Sequence, residues 1–222
     1  MKTSLAGLFL AAVSAFAAPV TMSGTGEYGS FTGTIEYIGS SNTTGSLVMS
    51  FTNTTPVFGG YITGVVFNNP GGSITDVTSF TSDDPDFQLI GDPNFEGGIN
   101  GAPYGDFDIG SSLGDGWLGA GSPVGGIAVG ETATFTFTLA GGLAGITTDS
   151  FIMEHSTGSR QPEALVVRFR GMLQGQSDKV PATFGTNPPP PPPPGEIPEP
   201  GTYAMMGLGL GLAALARKFN KK

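Results

Sequence analysis

The chain has 222 residues, no cysteine and a formal net charge of −9. The absence of cysteine excludes disulfides, thiolate nucleophiles and cysteine-ligated zinc, and the acidic balance disfavours a nucleic-acid partner because phosphate backbones are repelled. No Lys or Arg occurs between Lys2 and Arg160, so the long middle part is the most acidic. Once the two ends are set aside, about 170 residues remain, enough for one domain with a sizeable core.

Residues 1–17 have the pattern of a secretory signal helix. Lys2 supplies a positive charge and residues 5–13 form an apolar run that is too short to span a membrane comfortably. Ala15 and Ala17 place small side chains at the −3 and −1 positions of a signal-peptidase site. The sequence therefore predicts export with signal peptidase as a maturation partner and cleavage after residue 17, the next bond being the alternative.

The part before residue 83 carries strand patterns. In residues 31–38, the side chains of Phe31, Ile35 and Tyr37 share one face opposite polar neighbours, the alternation expected of a half-buried strand. A nearly continuous apolar run is typical of a central strand and occurs at residues 61–67. Further strands are predicted at residues 20–28, 46–52 and 73–80.

Residues 83–127 form a long irregular section, apart from a weak strand pattern at 87–90. Carboxylates cluster twice in it: one group is Asp83, Asp84 and Asp86, and the other is Asp106, Asp108 and Asp115. Calcium takes several hard oxygen ligands, so an acidic loop of this kind predicts a calcium site, although the EF-hand spacing is not met. The alternative is that these aspartates cap turns and solvate the loop.

Aromatic residues share the irregular section with the carboxylates. Trp117 and Tyr104 are the candidates for a carbohydrate-binding face, because aromatic rings beside acids can stack on and hydrogen-bond sugars. The alternative interpretation is that they pack the loop onto the core. A pair of carboxylates could also serve a glycosidase, but a sequence cannot show their separation.

Two alternating segments follow, at residues 131–139 and 164–170. His155 lies between them as the one histidine, in a polar turn-like segment, and no Gly-x-Ser-x-Gly motif accompanies it. We therefore predict no catalytic residues. Abundant Thr, Phe and Val, period-two alternation and frequent turn signals predict an all-β fold, a single jelly-roll-like β-sandwich over residues 18–186.

Residues 187–196 form a proline-rich linker containing seven consecutive prolines. Such a run favours polyproline II, which at ~3.1 Å per residue makes a stiff spacer of roughly 20 Å. The uncharged apolar run 201–216 follows and predicts a short transmembrane helix. Four basic residues then predict a cytoplasmic terminus by the positive-inside rule: Arg217, Lys218, Lys221 and Lys222.

The Pro198-Glu199-Pro200 motif, the Gly/Leu/Ala-rich run after it and the Arg/Lys tail resemble the PEP-CTERM sorting signal, over residues 197–222. The resemblance implies recognition by exosortase, processing near the motif, and a bacterial host that makes exopolysaccharide and biofilm. The expected function is a non-catalytic surface or extracellular-matrix protein, possessing a membrane anchor at least transiently. The alternatives are a carbohydrate-binding module and a secreted glycan-active hydrolase.

Overall fold

The computed structural model describes residues 18–91, 98–114, 116–118 and 122–185. These residues are predominantly β-structure, with one short α-helix, α1 (Thr148–Met153). The strands are β1 (Val20–Thr25), β2 (Ser30–Gly39), β3 (Thr44–Asn53), β4 (Tyr61–Phe67), β5 (Ile74–Ser82), β6 (Phe87–Gly91), β7 (Ile99–Asn100), β8 (Asp106–Phe107), β9 (Ile109–Leu113), β10 (Thr132–Gly141), β11 (Leu165–Arg170), β12 (Asp178–Pro181) and β13 (Thr183–Phe184).

Two antiparallel sheets make up most of the fold. Sheet A has six strands in the order β13-β1-β2-β3-β10-β5, and sheet B has five in the order β12-β11-β4-β9-β6. A small hairpin pairs β7 with β8. The prediction of an all-β fold is therefore confirmed. The strand order departs from the jelly-roll expectation of two Greek keys, because β1, β2 and β3 form a meander within one sheet.

The inner faces of sheets A and B share one hydrophobic core. Phe67 of sheet B meets Phe137 of sheet A with their ring centroids 5.0 Å apart, edge to face. Phe135 of sheet A lies 4.9 Å from Phe87 of sheet B. Because both sheets bury side chains in the same cluster, they form a two-layer β-sandwich over the described residues.

Sheet A reproduces the alternation read from the sequence. Along β10, Phe135 and Phe137 are fully buried, while the threonines between them face outward. The same pattern holds in β2 and β3, which pair in an uninterrupted register from Phe31 opposite Asn53 to Gly39 opposite Gly45. Alternation of this kind appears because one face of the sheet is buried and the other is not.

The central strands β4 and β9 of sheet B are buried almost throughout, on both faces of the sheet. A second hydrophobic cluster covers its outer side, joining Val66 and Val166 of the sheet to Phe107 of the small hairpin. Trp117, from the segment after β9, completes this cover. The section predicted to be irregular is therefore in part a packed layer over sheet B.

Strand β9 corrects the prediction that residues 83–127 form a long irregular section. It lies between β4 and β6 in sheet B, and all five of its residues are buried. Its sequence, IGSSL, has no apolar alternation because both faces are covered and space is tight. A Cβ on Gly110 would lie 2.4 Å from the Val65 carbonyl oxygen, so a larger side chain has no room there.

Helix α1 was also not predicted, since six residues are too few to display a helical repeat. The Thr147 N–H donates to the Ser150 hydroxyl at 3.1 Å, which fixes its first turn. Within the described ranges no helix has the length and apolarity needed to cross a bilayer. The predicted signal helix, proline-rich linker and C-terminal helix lie outside the residues that the structure describes.

Candidate functional site

The first acidic group, Asp83, Asp84 and Asp86, lies in the turn between β5 and β6. The Asp83 carboxylate accepts a hydrogen bond from the Thr134 N–H at 2.7 Å. Asp84 accepts from the Asp86 N–H at 3.1 Å, while its own N–H donates to the Ser82 hydroxyl at 3.0 Å. The Asp84 contact is that of an aspartate capping a turn, one of the two interpretations left open by the sequence, whereas Asp83 ties the turn to β10.

The same turn holds an unfavourable concentration of negative charge. Burial raises the pKa of Asp84, and the nearby charges of Asp86, Asp83 and Glu131 add to the rise. The hydrogen bond from the Asp86 N–H opposes it, because that donor stabilises the charged form. On balance the pKa of Asp84 is therefore raised.

Asp108 of the second acidic group is separated from the first group by the β6–β9 strand pair. Asp86 precedes Phe87, which pairs with Leu113, whereas Asp108 precedes Ile109, which pairs with Gly91. Asp86 and Asp108 thus flank opposite ends of β6 and β9, with ~13 Å of strand between them.

Asp108 contacts backbone through its carboxylate, whereas Asp106 forms an antiparallel backbone bridge. Asp108 accepts from the Asn69 N–H at 2.8 Å, and the Asp106 backbone exchanges hydrogen bonds with Thr157. Asp115 lies outside the described residues. Among the residues that the structure does describe, no three His, Asp or Glu side chains form a group able to hold a metal ion. The calcium site stays a prediction.

Trp117, a candidate for sugar stacking, lies against sheet B and is 5% exposed. Its ring packs over Gly64, where a Cβ would come within 3.0 Å of the indole. The Arg168 guanidinium lies 6.0 Å from the ring centroid and donates to the carbonyl oxygens of Trp117 and, at 3.0 Å, Leu118. The ring is occupied in packing, so it offers no open face to a sugar in this structure.

Arg168 holds this loop against sheet B, and its guanidinium loses part of its hydration there. Burial lowers its pKa to about 10, and the positive charge of Arg170 contributes. The guanidinium remains charged at neutral pH and supplies donors to two loop carbonyls that would otherwise lack them. Tyr104 is half-buried against the same cluster, and burial is the main cause of its raised pKa.

His155 is exposed on the loop after α1. Its Nδ1 lies 2.9 Å from the Met153 carbonyl oxygen, an acceptor, so Nδ1 carries the proton in this contact. Within the described part of the chain, the imidazole is hydrogen-bonded to that carbonyl and not to a serine hydroxyl, which is the contact that a nucleophile–base pair would require. The arrangement is that of a loop histidine.

Several polar residues that the sequence did not single out have structural roles. One oxygen of Asp178 accepts the N–H groups of Tyr28 at 2.9 Å and Gly29 at 3.0 Å, which holds the β1–β2 turn. Asn53 is fully buried and donates to the carbonyl oxygens of Gly60 and Ile127. Partners distant in sequence are not visible in a local pattern, which is why these roles were missed.

The N-terminal and C-terminal candidates lie outside the described residues: Ala15, Ala17, Pro198, Glu199, Pro200, Arg217, Lys218, Lys221 and Lys222. Comparison with curated proteins and with solved structures gave no match. Comparison with protein families gave one, to the PEP-CTERM protein-sorting motif over residues 196–222. As the sequence predicts, the chain carries a PEP-CTERM sorting motif, which implies export, recognition by exosortase and sorting to the cell envelope.

Proposed function

We propose that the chain is the precursor of a non-catalytic extracellular-matrix protein, delivered by its sorting motif and retained in an exopolysaccharide layer or biofilm. The observation that carries the proposal is the PEP-CTERM motif at residues 196–222. The apolar run 201–216 would hold the precursor in the membrane by a helix until exosortase acts near Pro198-Glu199-Pro200.

The described domain supports a non-catalytic role through the way its reactive side chains are used. His155 contacts a backbone carbonyl, Trp117 is packed against sheet B, and three of the aspartates accept backbone N–H groups, namely Asp83, Asp84 and Asp108. Each is engaged in holding loops, and none of these contacts couples an acid to a base across an open cleft.

Mass spectrometry of the protein from its native host tests this proposal. The wild-type chain is expected to begin near Ala18 and to end between residues 198 and 201. The P198A/E199A/P200A variant is expected to keep residues 201–222 and to accumulate in the membrane fraction, because the sorting enzyme no longer recognises it.

The matched control is P190A/P191A, which changes two prolines of the linker and leaves the motif intact. It should be processed like the wild type. Retention of residues 201–222 by the wild-type protein would contradict processing. Hydrolysis of polysaccharides by the folded protein would contradict the non-catalytic role.

A further inference from the structure

The outer face of sheet A carries a regular array of hydroxyl groups that nothing in the described structure covers. Two rows cross β1, β2, β3 and β10, one residue of each row on each strand. We call these eight residues the hydroxyl grid: Thr21, Thr34, Ser50 and Thr134 in one row, and Ser23, Thr32, Thr52 and Thr132 in the other.

The strand registers make the grid regular. Thr34 lies opposite both Thr21 and Ser50, and Ser50 lies opposite Thr134, so the first row follows the hydrogen-bonding direction of the sheet. Neighbouring strands are ~4.8 Å apart and alternate residues ~6.7 Å apart along a strand. Hydroxyls therefore recur at nearly fixed intervals over a patch about 14 Å long and 7 Å wide.

Hydrogen bonds between neighbours hold some of these hydroxyls in place. The Thr34 and Ser50 hydroxyls are 2.9 Å apart, and those of Thr52 and Thr132 are 2.7 Å apart. A hydroxyl has one donor and two acceptor positions, so each pair keeps capacity for an external partner. A shallow hollow of ≈ 580 Å³ lies over this face, lined by grid residues and by Phe184 at its edge.

Charge decides which partner fits. No Lys or Arg occurs between Lys2 and Arg160, so β1, β2, β3, β5 and β10 contain none. The carboxylates that border the grid include Glu36, two residues beyond Thr34, Asp83, which binds the Thr134 N–H, and Glu131, next to Thr132. An anionic chain would meet negative charge without a cation to offset it, whereas a neutral polyhydroxyl chain would not.

An uncovered outer face is not a necessary feature of this sandwich, because the outer face of sheet B is covered. Sheet B has its outer side covered by the cluster that contains Phe107 and Trp117. The β preference of threonine accounts for threonine on sheet A, but it does not explain why the face is both open and free of basic residues.

We propose that the hydroxyl grid is the binding surface for a neutral polysaccharide chain. The chain lies across the strands and exchanges hydrogen bonds with the two rows. This inference rests on the proposed retention in an exopolysaccharide layer and names the surface and the class of ligand. Single contacts of this kind are weak, so affinity grows with the number of sugar units engaged.

Affinity electrophoresis of the full-length protein in mild detergent tests the proposal. The gels contain hydroxyethylcellulose or dextran, which are neutral, or alginate, which is anionic. We expect at least one neutral polymer to retard the wild-type protein and alginate to leave it unretarded. The T34V/T52V variant removes one hydroxyl from each row while keeping β-branched side chains, and we expect its binding to fall ~10-fold.

Two further variants separate recognition from folding. T34S/T52S keeps both hydroxyls and should stay within about threefold of the wild type. T43V/T157V alters exposed threonines outside the grid and should bind as the wild type does. Unchanged melting temperatures for all variants confirm that each one is folded.

Retention of T34V/T52V equal to wild type would overturn the proposal, as would retardation by alginate alone or by no neutral polymer. Shaping of ice crystals without polysaccharide binding would assign the grid to ice and overturn it also. None of these outcomes alters the processing measured by mass spectrometry, so failure of the grid is distinguishable from failure of the sorting proposal.

Discussion

The outer faces of the two sheets are treated differently. That of sheet A is open and lined by threonine and serine, whereas that of sheet B lies beneath Phe107, Trp117 and the small hairpin. Sheet A strands accordingly alternate between buried and exposed residues, while β4 and β9 are buried almost throughout. The outer face of sheet A is therefore accessible to a binding partner, whereas that of sheet B forms a second hydrophobic core.

The largest effect is expected from removing the Phe107 ring, which lies in the cluster that covers sheet B. Phe107 is fully buried, and its ring lies so close to Gly101 that a Cβ there would be 2.4 Å from it. We expect F107A to lower the free energy of unfolding by ~3–5 kcal/mol, as for aromatic truncations in cores. Urea denaturation measures the change.

The control for F107A is T136A, on the open face of sheet A, where a loss within about 0.5 kcal/mol is expected. Phe107 of β8 lies in the cover of sheet B and Thr136 of β10 lies on the open face of sheet A, so the two variants compare a covered with an uncovered face. If F107A costs no more than T136A, the cluster over sheet B is not a core.

A second test concerns the strand that the cover conceals. G110A would place a Cβ 2.4 Å from the Val65 carbonyl oxygen and 2.8 Å from a Val66 methyl. Because backbone cannot move aside without breaking the β4–β9 pairing, we expect a loss of ~1–3 kcal/mol. Thermal unfolding monitored by circular dichroism would record it.

The matched control for this strand is G142A, because a Cβ at Gly142 meets nothing within 4 Å. It should leave the melting temperature nearly unchanged or raise it slightly, since alanine restricts the unfolded chain. Equal tolerance of both changes would show that β9 is not held between two packed faces.

The two sheets also differ in how well their strands could be predicted from the sequence. Strands β2, β3 and β10 of sheet A were predicted from alternation, and the continuous apolar run at 61–67 coincides with β4, whereas β13 was not predicted. Strand β9 was missed because glycine and serine fit where two backbones approach closely, and such residues resemble a loop in sequence.

The functional candidates also differ in how far the sequence predicted them. The sorting motif depends on a local order of residues, so it was recognised from sequence and matched by the family comparison. The hydroxyl grid depends on strand order and register, which bring Thr21 and Thr134 into one row across four strands. Alternating threonines were visible in the sequence, but their lateral alignment was not.

The smallest expected effect is a charge effect at the rim of the open face. Asp84 has a pKa raised above its ordinary value of 3.8, mainly by burial. The folded state therefore holds this proton more tightly than the unfolded state, and stability declines as pH rises from 3.8 towards the folded pKa. Asn in its place keeps an oxygen for the Asp86 N–H and removes the charge.

We expect D84N to be more stable than the wild type at pH 7, by less than about 0.5 kcal/mol because the carboxyl is partly solvated, and equal to it near pH 3. Denaturation at both pH values measures this, and D76N, which removes a charge from the other end of β5, is the control. A destabilised D84N would contradict the expectation that the Asp84 charge is unfavourable at pH 7. If calcium then raised the melting temperature of the wild type but not of D84N, the turn between β5 and β6 would be the predicted calcium site, since only a bound cation outweighs the repulsion from its acidic neighbours.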